Sequence, residues 1–148
     1  MRENFVRRGR TAWIVARSSP DGFDTATQSP VAEARRAVRE RLGLAPEVSL
    51  GVGVDRLDYT KGILERFMAV ERLLELEPRW IGKFAFVQAA APSRSSIDEY
   101  QNLEARVREF AARINRRFGA AGYQPIVLRI EHHDAAQVYE LYRAADFC

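Results

Sequence analysis

Gly51-Val-Gly-Val-Asp-Arg-Leu-Asp-Tyr-Thr-Lys-Gly62 decides how this chain reads. The stretch begins inside an apolar run, Leu50 to Val54, that reads as a buried strand. It turns polar at once, with Asp55, Arg56, Asp58 and Lys61 within seven residues. From Ile63, after Gly62, the apolar spacing becomes helical. A strand that ends in a charged loop and feeds a helix is the ligand corner of an open α/β sheet, where ligands sit beyond the carboxyl ends of the strands. Arg56 and Lys61 place two cations beside a helix start, whose free N–H groups already favour anions. The residues point to a phosphate site. The competing reading is a surface loop in which these cations pair with Asp55 or Asp58.

Outward from this stretch the chain alternates strands and helices. Towards the amino terminus, Val31 to Leu42 reads as a helix, with Val31, Ala34, Val38 and Leu42 at helical spacing. Ser29 is its expected N-cap, Pro30 its first helical residue and Gly43 its stop. Ser49 to Val54 is the strand. Ile63 to Leu76 is the second helix, burying Phe67, Val70, Leu73 and Leu74, with Glu65, Arg66, Glu71, Arg72 and Glu75 facing water. Trp80 and Ile81 are expected to pack under the following turn. Lys83 to Ala90 is nearly continuously apolar, as suits a parallel strand covered on both faces. Ile97 to Phe118 is a long helix with a stripe of Tyr100, Leu103, Val107, Phe110, Ala111 and Ile114. Pro125 to Ile130 is a third strand. Asp134 caps a last helix, Ala135 to Ala145, with Val138, Leu141 and Tyr142 inward. Asp146 to Cys148 reads as the start of another strand. Repeated right-handed crossovers of this kind give a parallel sheet with helices on both faces.

The 148 residues are enough for one domain with a real core. Hydrophobic residues at 47% and charged residues at 29% are ordinary for a globular protein. The net charge of +3 comes from arginines spread along helices. They read as solvated helix faces in preference to a nucleic-acid surface. Cys148 is the one cysteine, so neither an internal disulfide nor a cysteine-rich metal site is expected. No run is long enough to span a membrane and no signal-peptide core is visible, so cytoplasmic residence is the default.

Val54-Asp-Arg-Leu-Asp-Tyr-Thr-Lys-Gly-Ile63 resembles the signature of the trehalose-6-phosphate synthases, a family of retaining nucleotide-sugar glycosyltransferases. The resemblance extends from about Pro30 to the end, through Ala91-Pro-Ser-Arg94, Arg113-Ile-Asn115, Arg117-Phe-Gly119 and Leu141-Tyr-Arg-Ala-Ala-Asp146. It implies an α/β fold class: a Rossmann-like parallel sheet with flanking helices, the incomplete half of a GT-B glycosyltransferase. Residues 31–148 would form part of the nucleotide-sugar-binding domain. Residues 1–30, an atypical segment, read as a replaced or out-of-frame start that packs poorly. The implied reaction moves glucose from UDP-glucose to glucose 6-phosphate, giving trehalose 6-phosphate. Family members continue into an Asp-Gly-Met-Asn-Leu motif and carry a further amino-terminal domain, so the isolated chain is expected to be inactive and to contain no catalytic residue.

The resemblance assigns roles by position. Arg56 and Lys61 would hold the donor diphosphate, where fixed cations stabilise the charge left on the departing phosphate. No cofactor or metal is then required, and no ligand cluster for one is visible. Arg94 would help hold the phosphate of glucose 6-phosphate; on its residues alone it reads equally as a solvated loop arginine. His133 would meet the donor base through main-chain atoms. His132 and His133 side by side on an extended chain point opposite ways, which argues against a shared metal. Asp55 and Asp58 are expected to orient Arg56 and Lys61, and Tyr59 and Phe67 to be core. Gly51 and Gly53 fall inside the strand and reflect close strand–helix packing, not a dinucleotide motif. The competing functions are a glucosylglycerol-phosphate synthase-like enzyme, a non-catalytic nucleotide-binding module and a basic nucleic-acid binder. The unfinished sheet also predicts self-association through its uncovered apolar surface.

Overall fold

A computed structural model of the chain describes residues 29–92 and 98–148. Its elements are α1 (Ser29–Arg41), β1 (Ser49–Arg56), α2 (Ile63–Leu76), β2 (Phe84–Ala91), α3 (Asp98–Phe118), β3 (Ile126–Ile130) and α4 (Ala135–Ala144). The boundaries lie within two residues of the expected ones, the usual uncertainty of element ends. The strands form a parallel sheet in the order β1-β2-β3, with Ser49 opposite Phe84 and Phe86 opposite Ile126. After α4 the chain returns to the free side of β1. There Phe147 bridges Gly51 in parallel, and the Val52 N–H donates to the Phe147 carbonyl at 2.9 Å. The expected next strand therefore does begin here. β1 lies where the strand order reverses, which is the switch point at which open α/β sheets bind ligands.

Side-chain alternation along the strands sorts the core into two layers. Leu50, Val52, Ala85, Val87 and Ala89 meet α1 and α4 through Val38, Leu141 and Ala144. On the opposite face Phe67, Val70 and Leu74 of α2 and Val107 and Ile114 of α3 pack over Ile126 and the half-buried Phe84 and Phe86. Phe67 is wholly buried, as expected, and meets Phe86 edge-on at 6.5 Å between ring centroids. The exposed sides of α2 and α3 are laced by ion pairs such as Arg113–Glu71 at 2.7 Å, so part of the helical arginine content does face solvent beside carboxylates.

The two strand glycines make room on the α2 side of β1. A Cβ on Gly51 would lie 2.8 Å from Phe86 Cδ2, and one on Gly53 2.7 Å from Gln88 Oε1 and 3.0 Å from Arg66 Nη1. The close approach is thus chiefly to side chains of the neighbouring strand, with the helix contributing Arg66.

Several side chains depart from their expected places. Arg39, read as solvated, is buried and holds α1 to the returning chain: it donates to the carbonyls of Ala144 (3.0 Å) and Val48 (3.3 Å) and to Asp146 Oδ2 (2.8 Å). Ile81 and Tyr142 are exposed. Ala144 and Ala145 take the buried positions at the end of α4, where small side chains allow close approach to α1 and β1. Tyr59, expected in the core, is half exposed because it sits on the loop after β1.

Candidate functional site

The loop between β1 and α2 is shaped by local chemistry. The β1–β2 ladder runs one step beyond Arg56, with the Leu57 N–H donating to the Ala91 carbonyl at 2.8 Å. Leu57 is buried in the α2–α3 layer and anchors the exit of the strand. Asp58 then accepts from the Thr60 N–H and the Thr60 hydroxyl, both at 2.9 Å, and folds Tyr59–Lys61 into a 3₁₀ turn. Gly62 follows at φ 62°, a left-handed conformation that glycine adopts without steric cost. Having no side chain, it cannot cap α2, and the first amides of that helix are left without a side-chain acceptor. The positive end of the helix dipole faces the loop, with Glu65 of the first turn beside it, its Oε2 3.6 Å from where a Cβ of Gly62 would stand.

The charges of the loop are distributed unevenly. Arg56 is exposed over 62% of its side chain, and its ion-pair partner is Asp58 at 3.4 Å, too long to hold it firmly. Lys61 is exposed, and its side chain has no partner among the described residues. The Asp58 carboxyl is held below the usual aspartate range, first by the Thr60 N–H, then by the Thr60 hydroxyl, with Arg56 adding attraction. Asp55 departs from expectation. It pairs with Arg66 of α2 rather than with Arg56 or Lys61, and Arg66 Nη1 also donates to Gln88 Oε1 at 3.0 Å. Arg66 was expected to face water; instead it is partly buried against the α2 side of the sheet.

Of the remaining predicted residues, His133 falls at the same, carboxyl edge of the sheet. Arg94 lies outside the described residues. The loop reaches towards the start of α3, just beyond that segment: the Tyr59 hydroxyl donates to the Glu99 carbonyl, and the Tyr59 and Tyr100 rings lie 5.9 Å apart. His133 follows β3, two strands from β1 and so about 10 Å away across the sheet. Its Nδ1 is 3.0 Å from the Glu131 carbonyl, and its Nε2 is 3.7 Å from the Glu131 carboxylate. The ring is thereby tied down, while the main-chain N–H and C=O of His133 make no hydrogen bond among the described residues. Asp134 caps α4 as expected, in a reciprocal pair with Gln137. Among the described residues no group of three metal-ligating side chains occurs, and no helix is long and apolar enough to cross a membrane.

Arg66 and Gln88 were not read from the sequence as part of this region. A signal was available for Gln88: it is the polar residue in the strand FAFVQAAA, and it is fully buried.

Residues 20–148 match the model of glycosyltransferase family 20, beginning ten residues before the resemblance read from the sequence. The chain belongs to this family. This family 20 chain is 43% identical over 129 residues to the alpha,alpha-trehalose-phosphate synthase (UDP-forming) of Schizosaccharomyces pombe, covering 87% of this chain and 25% of that protein. Its fold is similar to that of an alpha,alpha-trehalose-phosphate synthase (UDP-forming) from Burkholderia xenovorans in complex with glucose-6-phosphate, at 32% identity and a TM-score of 0.68, covering 78% of this chain and 27% of that one. It is similar also to an E. coli trehalose-6-phosphate structure bound with UDP-2-fluoro glucose, at 30% identity and a TM-score of 0.67, over 78% of this chain and 27% of that one. The chain thus spans about a quarter of the length of the curated relatives it matches. The α/β fold class read from the sequence stands, with trehalose-phosphate synthases as its structural neighbours.

Proposed function

We propose that the loop after β1 binds the diphosphate of a nucleotide sugar, and that the whole protein transfers glucose from UDP-glucose to glucose 6-phosphate to form trehalose 6-phosphate. One observation carries the reading: Arg56, held by a single 3.4 Å contact to Asp58, and Lys61, without a side-chain partner among the described residues, stand beside the start of α2, at the strand-order reversal. Two cations and a row of helix amides suit a group bearing several negative oxygens. Arginine engages two oxygens in a planar fork, and lysine follows the charge as a mobile point. As the sugar leaves, charge builds on the terminal phosphate, and cations already in place stabilise it without reorganisation. The names of the relatives support UDP as the nucleotide product, and the two bound structures support the donor and acceptor classes. On the same reading Arg94 contributes to the acceptor phosphate and His133 offers main-chain groups to the base.

Titration of the 148-residue chain with UDP, followed by amide chemical shifts, tests the binding step. The expected result is a set of shifts centred on residues 55–65 that disappears in the Arg56→Ala/Lys61→Ala double variant. Shifts centred elsewhere, or unchanged affinity in the double variant, overturn the assignment. A coupled assay for trehalose 6-phosphate on the protein at the full length of its relatives tests the reaction; release of UDP with no sugar phosphate formed counts against it.

A further inference from the structure

We propose that Arg66 is a positioning residue of the diphosphate loop, cancelling the charge of Asp55 and tying both ends of the loop to one helical residue. The proposal rests on reading that loop as an anion site. Arg66 brackets the loop. Its main-chain N–H donates to the Gly62 carbonyl at 3.0 Å, at the end of the loop. Its guanidinium pairs with Asp55, at the beginning. Arg66 Nη1 is steadied in turn by the fully buried Gln88, whose Nε2 donates to the carbonyls of Gly53 and Ala89, each at 3.2 Å. Gly53 leaves the space this requires, since a Cβ there would stand 3.0 Å from Arg66 Nη1. Residues of β1, β2 and α2 therefore converge on one guanidinium.

The electrostatic consequence follows from position. Asp55 directly precedes Arg56, and its side chain is only 17% exposed. A carboxylate so shielded from water acts through a lower effective dielectric than one in solvent, and it repels any anion that Arg56 and Lys61 attract. Arg66 removes that opposition. It touches no substrate in this role; it sets the field and the shape of the loop that does.

The test uses the 148-residue chain, with UDP and inorganic pyrophosphate as separate probes, and thermal melting recorded for each variant. Arg66→Met is expected to weaken both probes about tenfold, and Arg66→Lys by no more than about threefold. The decisive variant is Asp55→Asn/Arg66→Met. Removing both charges is expected to restore affinity to within about threefold of the starting protein while the melting temperature stays low. A purely structural Arg66 predicts the reverse: affinity follows the melting temperature through the series and the double variant does not recover, which overturns the proposal. If Arg66→Met does not fold, Asp55→Asn decides. It leaves the guanidinium uncompensated and is expected to tighten pyrophosphate about threefold at low salt; weaker binding overturns the proposal. Pyrophosphate binding without UDP binding defeats the nucleotide reading alone, because the pyrophosphate series still decides Arg66. Binding of neither probe defeats both.

Discussion

Arg39 and Arg56 place the same side chain in opposite surroundings. Arg39 is enclosed between α1 and the chain returning to β1, and it donates to two carbonyls and to Asp146, while its Nε has no partner among the described residues. Arg56 ends β1 with 62% of its side chain exposed and a long contact to Asp58. The first has committed its two terminal nitrogens to the fold. The second holds its donors available, at the edge of the sheet where the strand order turns back. In this molecule the use of an arginine is set by what surrounds it: carbonyls and a carboxylate from two segments in one case, a solvent-exposed loop before a helix start in the other.

Loss of Arg39 should give the largest effect. Arg39→Ala leaves the Ala144 and Val48 carbonyls without the guanidinium, while Asp146 keeps Arg35 and the Leu50 N–H, and is expected to lower stability by about 3 kcal/mol in urea unfolding. UDP affinity of the molecules that remain folded should not change. An unchanged unfolding midpoint would erase the contrast between the two arginines.

Next come the loop cations. Arg56→Ala and Lys61→Ala are each expected to weaken UDP about tenfold, equivalent to roughly 1.4 kcal/mol, with no change in melting temperature. Parallel loss of stability and affinity would mean that Arg56 is structural too. The third test lies between the two regions. Gly53→Ala pushes a methyl group into Gln88 and Arg66 and is expected to cost about 1 to 2 kcal/mol of stability in urea unfolding. It should also weaken UDP, because Arg66 then loses its place against Asp55.

The smallest effect concerns pH. Thr60 and Arg56 hold the Asp58 carboxyl below its ordinary value of 3.8, so its contribution to the turn is complete above that value. It is lost as pH falls through the lowered value, when the carboxyl takes a proton and stops accepting. Carboxyl carbon shifts of Asp58 should titrate below 3.8, with the Thr60 amide becoming less protected over the same interval. Titration at or above the ordinary value would remove the turn from the account of the loop.

The order of elements was legible because each announces itself locally. Phe67, Val70 and Leu74 recur at helical spacing, and the Asp134–Gln137 pair marks a helix start within four residues. The two cations of the loop were legible for the same reason: Arg56 and Lys61 lie on either side of one short turn. The pairing of charges was not. Asp55 has Arg56 beside it in the chain, yet alternation along a strand sends the two side chains to opposite faces. The arginine that reaches Asp55 is eleven positions away, on the next helix. Gly53 showed a similar limit. A glycine in a strand signals close approach, but nothing in its neighbours says that the approaching groups are Phe86, Gln88 and Arg66.

The sequence by itself determined the alternation of strands and helices, the parallel sheet and the place where a ligand loop interrupts it, because periodicity and turn chemistry act over a few residues. Only the tertiary structure decided which arginines are enclosed and which are open, and which aspartate is neutralised. Those outcomes depend on segments far apart in the chain, such as α1 with Asp146 or α2 with β2, being brought within hydrogen-bonding distance. A charged side chain takes its role from the partners that folding supplies, and chain order does not record them.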